Sequence, residues 1–311
     1  MNVIAATEAL ASAAALRCAA ELQVPRFLGE RPLDASELAR ACGASERGSR
    51  VLLTALAGLG VIEPAGQGRY RMTPDGDLIT RGVKLYDALA DTIRTGQPAQ
   101  AWDADLASEA YPRLVHVLGD AFRAAAERTA DVLAGDGLRV LDVAAGAAPW
   151  SLAVAGRDPA GVVTAVDLPG VIAETQQAVK DRGAESRYRF LAGDAFSVNL
   201  GGPYDLALVG NFCHLFGPER NLLLLRRLRE VLVPGGRVAI IDVVPPSGRE
   251  SPPQLALYEL SLVLRTTSGG VHHFSAYVDW LTRSGYRSIE RVDVDQVTGL
   301  TLVTATTDNG T

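Results

Sequence analysis

Two rhythms of apolar and polar residues divide the chain near residue 137. Before that point apolar positions recur every three or four residues between cap signals, which predicts amphipathic helices. In "DASELARACG", Asp34 or Ser36 starts a helix and Gly43 stops it; in "SERGSRVLLTALAGLG", Ser45 is the cap and Val51, Leu52, Leu56 and Leu59 form the apolar stripe. "VIEPAGQGRYRMTPDG" then reads as two short strands around a glycine-rich turn. Helix, turn, helix and a two-stranded wing make the winged-helix pattern. Residues from about 84 to 135 are helical again, with a break at "RTGQPAQAW".

From Leu138 short apolar runs alternate with helical stretches. "LRVLDVA", "GVVTAVDL", "YRFLAGD", "YDLALVGNF" and "GRVAIIDVV" are strands; "WSLAVAGRD", "VIAETQQAVKDRG" and "RNLLLLRRLREVL" are helices. Strands separated by helices predict a parallel sheet covered on both faces. The tail adds one helix and a hairpin that extends the sheet edge with antiparallel strands, seven strands in total. The expected layout is a winged-helix domain over 1–100, a helical connector over 101–136 that contributes to a substrate pocket, and a Rossmann-like α/β domain over 137–311.

Composition narrows the class. With 48% hydrophobic and 21% charged residues among 311, a packed core is expected and disorder is not. The net charge of −6 argues against a chain built to coat nucleic acid or an anionic membrane. Cys18, Cys42 and Cys213 have no metal-ligand spacing and suggest a reducing compartment, so a cytoplasmic, metal-free protein is expected. The N-terminal "MNVIAATEALASAAALRCAAEL" reads as an amphipathic helix rather than a signal peptide, and no apolar run is read as membrane-spanning.

Ligands of such sheets bind beyond the carboxyl ends of the strands. Those ends carry Asp142 and "VAAGAAPW", then Asp167, then Asp194 in "AGDAF", then "NFCHLF". Asp167 can accept two ribose hydroxyls. The loop around Gly146 has alanines where a pyrophosphate-binding loop has glycines, and it offers no lysine or arginine. A phosphate-free adenosine compound fits better, and S-adenosylmethionine is the expected cofactor, with S-adenosylhomocysteine as its product. The candidate cofactor contacts are Asp142, Ala144, Gly146, Asp167, Leu168, Asp194, Ala195, Phe196 and Asn211. An NAD(P) oxidoreductase is disfavoured by the alanines and by the absence of a hydride-site signature.

Over about residues 10–305 the chain resembles the small-molecule O-methyltransferases of plants and bacteria. The stretches that carry the resemblance are "LDVAAGAAPW", "AVDLPGV", "AGDAF", "YDLALVGNFCH", "LVPGGRVAIID" and "FSAYVDWLTRSGY". It implies a homodimer formed through the winged-helix domain and an aromatic or polyketide-like acceptor. It also implies a general base at His214, nine residues after Asp205. A histidine titrating near neutrality can take a proton from a phenol held in line with the methyl donor.

The chain departs from the family in the segment "GGVHHF", where His272 stands in place of an orienting glutamate. Either His214 works without an anionic partner, or His272 assists, or base catalysis is absent. Leu215, Phe212, Phe216, Trp102 and Tyr258 are available as apolar pocket walls. The departure leaves room for C- or N-methylation, or for decarboxylation, hydroxylation or cyclisation on the same fold. A winged-helix DNA-binding regulator is a minor alternative: Arg47 and Arg50 are the basic residues of its second helix, whose remaining face is apolar.

Overall fold

A computed structural model describes residues 3–73, 75–103, 111–246, 253–295 and 299–308. Its internal contacts divide the chain into two units, one ending at Thr95 and the other starting at Gly96.

The first unit contains helices α1 (Val3–Glu21), α2 (Val24–Glu30), α3 (Ala35–Cys42), α4 (Glu46–Gly58), α5 (Gly76–Val83) and α6 (Leu89–Thr95). Between α4 and α5 the antiparallel strands β1 (Ile62–Pro64) and β2 (Tyr70–Met72) form the expected wing. The caps explain α3 and α4. Asp34 accepts from the Glu37 amide while Glu37 accepts from the Asp34 amide, and Gly43 closes α3 at φ +66°. Ser45 accepts from the Gly48 amide at the start of α4. Leu28, Leu38, Leu53, Leu56 and Ile62 meet in the core of the unit.

Helix α1 corrects the amphipathic reading. Of its 19 residues only Ala19 is buried, and Val3, Ile4 and Leu10 are exposed. Alanines and larger apolar residues surround the axis, so no polar face opposes an apolar one. By length and composition alone the helix is apolar enough to cross a membrane, although Glu8 and Arg17 interrupt its apolar residues.

In the second unit α7 (Val115–Leu133) precedes a seven-stranded sheet. Its strands are β3 (Arg139–Val143), β4 (Val162–Asp167), β5 (Tyr188–Ala192), β6 (Tyr204–Gly210), β7 (Leu232–Val243), β8 (Arg287–Asp295) and β9 (Leu300–Thr306). The order is β5-β4-β3-β6-β7-β9-β8: the first five are parallel, and the β8–β9 hairpin joins through β9, which is antiparallel to both β7 and β8, so β9 runs against the rest of the sheet and β8 runs with it. Helices α8 (Pro149–Arg157), α9 (Pro169–Asp181), α10 (Pro218–Val231), α11 (Pro253–Arg265) and α12 (Phe274–Arg283) complete the unit.

Successive residues of β6 serve opposite faces. Leu206 and Leu208 join one apolar layer with Trp150, Ile241 and Leu302; Ala207 and Val209 join the other with Leu225, Tyr277 and Trp280. Burial on both faces explains the nearly continuous apolar runs of the central strands. The strand order reverses between β3 and β6, which puts a crevice at their carboxyl ends.

Candidate active site

A cavity of about 590 Å³ occupies that crevice. Of the predicted cofactor contacts, Ala144, Gly146, Asp167, Leu168, Asp194, Ala195, Phe196 and Asn211 line it. The loop after β3 keeps the turns of a glycine loop with few glycines. Ala144 and Ala148 take φ of +54° and +56°, and Gly146 lies between them at +56°. A left-handed alanine costs about 1–2 kcal/mol. The loop is held there by its bonds across to β4: the Ala145 amide donates to the Val166 carbonyl, and the Gly146 amide donates to Asp167 Oδ2 at 2.7 Å.

Asp167 also accepts from the Leu168 amide at 2.7 Å. Burial pushes its pKa up to about 6, against the downward pull of those two amides. Asp194 accepts from the Phe196 amide, which turns the chain so that Phe196 joins Phe212 and Phe216, with ring centroids 5.8 and 5.0 Å away. The Arg220 guanidinium lies 4.1 Å over the Phe196 ring. Arg227 of α10 fixes this loop from behind through the carbonyls of Ala195 and Val198. At the end of β6, Gly210 leaves room for Trp150, whose Nε1 would lie 2.2 Å from a Cβ at that position.

Asp142 does not join this set. Its carboxylate accepts from the Ser151 hydroxyl of α8, beneath the loop, and its Oδ1 has no hydrogen-bond partner. Burial, with Asp167 nearby, pushes its pKa up to about 7. The residue is 1% exposed and supports the loop rather than facing the cavity. The remaining features fit S-adenosylmethionine: the Asp167 carboxylate lines the cavity and can accept hydrogen bonds, the Phe196 ring follows Asp194, and the loop after β3 carries no lysine or arginine.

Beyond β6, between the cavity walls Phe212 and Leu215, His214 is 3% exposed and does not itself line the cavity. Its Nδ1 is 2.5 Å from Oδ1 of Asp242, and its backbone amide donates to Oδ2 of the same carboxylate at 2.9 Å. Tyr277 donates to Asp242 as well. Asp242 is fully buried, which alone would raise its pKa; the adjoining His214 and the bonds from His214 and Val243 outweigh that and hold it below the ordinary carboxylate range. A carboxylate can only accept, so Nδ1 carries the proton and Nε2 is free to take one. Nε2 accepts from the Tyr258 hydroxyl at 2.9 Å.

The sequence reading missed Asp242. Its signal was the carboxylate that ends "VAIID" at the same edge of the sheet as the other three. Of the alternatives left open for His214, the one without an anionic partner does not hold, because Asp242 is that partner. The expectation of His272 as an assisting base is corrected too: its Nε2 donates to the Phe216 carbonyl at 2.9 Å, its ring stacks edge-on against Trp280, and it does not bond to His214. Burial lowers its pKa. The segment "GGVHH" holds the main chain of His214 instead. The Gly270 amide donates to the His214 carbonyl, and a Cβ on Gly269 would lie 2.5 Å from that same oxygen. His116 pairs with Glu174 on the surface. Among the described residues no group of three or more histidine, cysteine, aspartate or glutamate side chains could hold a metal.

This geometry agrees with what similar proteins are. An O-methyltransferase domain matches residues 129–287, and an O-methyltransferase dimerisation domain matches residues 5–82. The tetracenomycin polyketide synthesis 8-O-methyltransferase TcmO of Streptomyces glaucescens is 27% identical over 322 residues, covering 94% of this chain and 93% of its own. The acetylserotonin O-methyltransferase of Mus musculus is 31% identical over 274 residues, covering 75% and 70%. The crystal structure of human N-acetylserotonin methyltransferase in complex with S-adenosylmethionine shares the fold, with a TM-score of 0.71 at 21% identity over 95% of this chain and 94% of that one. The chain belongs to the O-methyltransferase family and is an S-adenosylmethionine-dependent methyltransferase.

Proposed function

We propose that this enzyme methylates a hydroxyl oxygen of an aromatic or polyketide-like small molecule, with His214 as the general base. The observation that carries the reading is the His214–Asp242 pair. A carboxylate buried against Nδ1 fixes the tautomer and stabilises the imidazolium formed when Nε2 takes a proton. C- or N-methylation needs less help from a base, and the reason to weigh those reactions was the lack of a carboxylate partner, which Asp242 supplies.

When bound, S-adenosylmethionine supplies an electrophilic methyl on a sulfonium. Asp167 binds the ribose, Gly146 and its neighbours lie against the amino-acid end, and Asp194 with Phe196 holds the adenine. His214 Nε2 is the atom that would hold the acceptor's proton. The walls from Trp102, Phe212, Leu215 and Phe216 suit a flat apolar acceptor, and the polyketide context in TcmO's name supports that class.

The match of 5–82 to a dimerisation domain, together with the exposed apolar side chains of α1, supports a homodimer through the first unit. Three free cysteines support a cytoplasmic location. The test is incubation of the enzyme and its His214→Ala variant with methyl-labelled S-adenosylmethionine and a panel of naphthols and hydroxyanthraquinones. Label on oxygen, lost about 10²-fold in the variant with S-adenosylhomocysteine affinity retained, is the expected result. Label on carbon or nitrogen, or undiminished turnover in the variant, overturns the reading.

A further inference from the structure

Trp150 lines the cavity from the first turn of α8 and is 4% exposed. Its indole packs on Phe122, with ring centroids 5.7 Å apart, and fills the space that Gly210 leaves at the end of β6. The Nε1–H donates to no described residue, and it is not one of the enclosed polar atoms that lack a partner. In a side chain this buried, the surface left to Nε1 is cavity wall. An indole N–H can only donate, so the site holds a fixed, open donor where β3 and β6 part.

The cofactor carries one anion, the carboxylate of its amino-acid end, and that end lies against Gly146 and its neighbours in the function proposed above. The loop there has no lysine or arginine. Among the described cavity walls the one such residue is Arg220, which lies 4.1 and 4.9 Å from the Phe196 and Phe216 ring centroids, on the side proposed for the adenine. The carboxylate therefore meets no cation at its own end and needs neutral donors. Ala148, which precedes α8, has no side chain to cap the helix, and Pro149 has no N–H. No capping side chain thus offsets the positive end of the α8 dipole, which favours an anion beside Trp150.

We propose that Trp150 binds the cofactor, with Nε1–H donating to the carboxylate of the amino-acid end of S-adenosylmethionine and S-adenosylhomocysteine. The proposal rests on the placement of that end along the loop after β3. Because packing already holds the indole, the bond costs little side-chain entropy.

Calorimetry with two ligands tests it: S-adenosylhomocysteine, and 5′-deoxy-5′-(3-aminopropylthio)adenosine, which lacks only the carboxylate. With 3-benzothienylalanine at position 150, the two-ring shape stays and sulfur replaces the N–H. S-adenosylhomocysteine should then bind about 10–100-fold more weakly, and the decarboxylated ligand within about threefold of its native affinity. Trp150→Phe should show the same difference between the ligands, on top of a packing loss common to both. Equal losses for the two ligands, or none, overturn the proposal. So does a native enzyme that binds both equally, or a variant that keeps S-adenosylhomocysteine affinity and raises only the KM of the acceptor. A native enzyme that binds neither ligand is a different failure, that of the cofactor assignment. A second readout needs no variant at position 150. In protein with ¹⁵N-labelled tryptophan, Trp102→Phe and Trp280→Phe identify two of the three indole resonances. The third, Trp150, should move downfield with S-adenosylhomocysteine and much less with the decarboxylated ligand; equal shifts overturn the proposal.

Discussion

Oδ1 of Asp242, at the end of β7, lies 2.5 Å from Nδ1 of His214, which follows β6, and the same carboxylate accepts the His214 backbone amide. One buried anion therefore fixes both the ring and the main chain of His214, the proposed base. Asp242→Asn keeps the shape but cannot offer the same charge to an imidazolium. Its kcat should fall by about 10²–10³-fold, with S-adenosylhomocysteine affinity within about threefold. Steady-state kinetics beside calorimetry check this. A variant that retains more than a third of native kcat would show that the pair is structural only.

Asp167 gives a pH dependence whose sign is set by burial. Its pKa of about 6 lies above the ordinary aspartate value, so in the free protein the carboxyl is protonated as pH falls below 6. Under the proposed ribose contact, hydroxyl donors favour the ionised form. S-adenosylhomocysteine affinity should be flat above pH 7 and weaken toward tenfold per pH unit below 6. Asp167→Asn should bind about 10–100-fold more weakly at pH 8 and lose this dependence. Calorimetric titrations from pH 5 to 8 decide it, and native affinity that does not change with pH counts against the assignment.

These residues were legible to different degrees for physical reasons. A strand buried on both faces must be apolar and must end in a turn at the sheet edge, so "LRVLDVA" or "GVVTAVDL" announces its strand and its terminal polar residue. Which way that residue points is a tertiary matter. Asp142 and Asp167 look alike in sequence, yet Asp142 turns to Ser151, nine residues on, and Asp167 turns to the Gly146 amide. The partners of His214 lie 28 and 44 residues away on β7 and α11, and only the sheet order brings them together. "GGVHH" invited a search for a carboxylate side chain, whereas its contribution comes from backbone and from the missing Cβ of Gly269. The polarity of α1 was misjudged because Glu8, Arg17 and Glu21 are too few to make a face among so many alanines.

The alanine loop predicts a stabilising substitution. Ala144 holds φ +54° and is half-buried, so Ala144→Gly relieves a left-handed alanine with little loss of packing. The gain should be about 1 kcal/mol, read as a rise of about 2–4 °C in the thermal midpoint of the second unit. Ala148 has nearly the same φ but is completely buried, so Ala148→Gly also loses packed contacts and should gain less. A destabilised Ala144→Gly would mean that the loop is not strained there.

Gly269 and Gly270 are adjacent, and the structure assigns them opposite tolerances. A Cβ on Gly269 would meet the His214 carbonyl oxygen at 2.5 Å, the Leu215 carbonyl oxygen at 2.8 Å and Thr266 Oγ1 at 2.7 Å. Two of these are backbone atoms, so the loop must withdraw or His214 must move. Gly269→Ala should cost about 1–3 kcal/mol of stability and lower kcat by tenfold or more through misplacement of the base. A Cβ on Gly270 meets only Glu259 Oε1 at 3.6 Å, so Gly270→Ala should leave both quantities near native. Neither change touches the loops after β3, β4 and β5, so S-adenosylhomocysteine should bind both variants about equally. Thermal midpoints, kcat and calorimetry on the pair test this together. Equal kcat in the two variants would mean that the backbone clamp on His214 does not position the base.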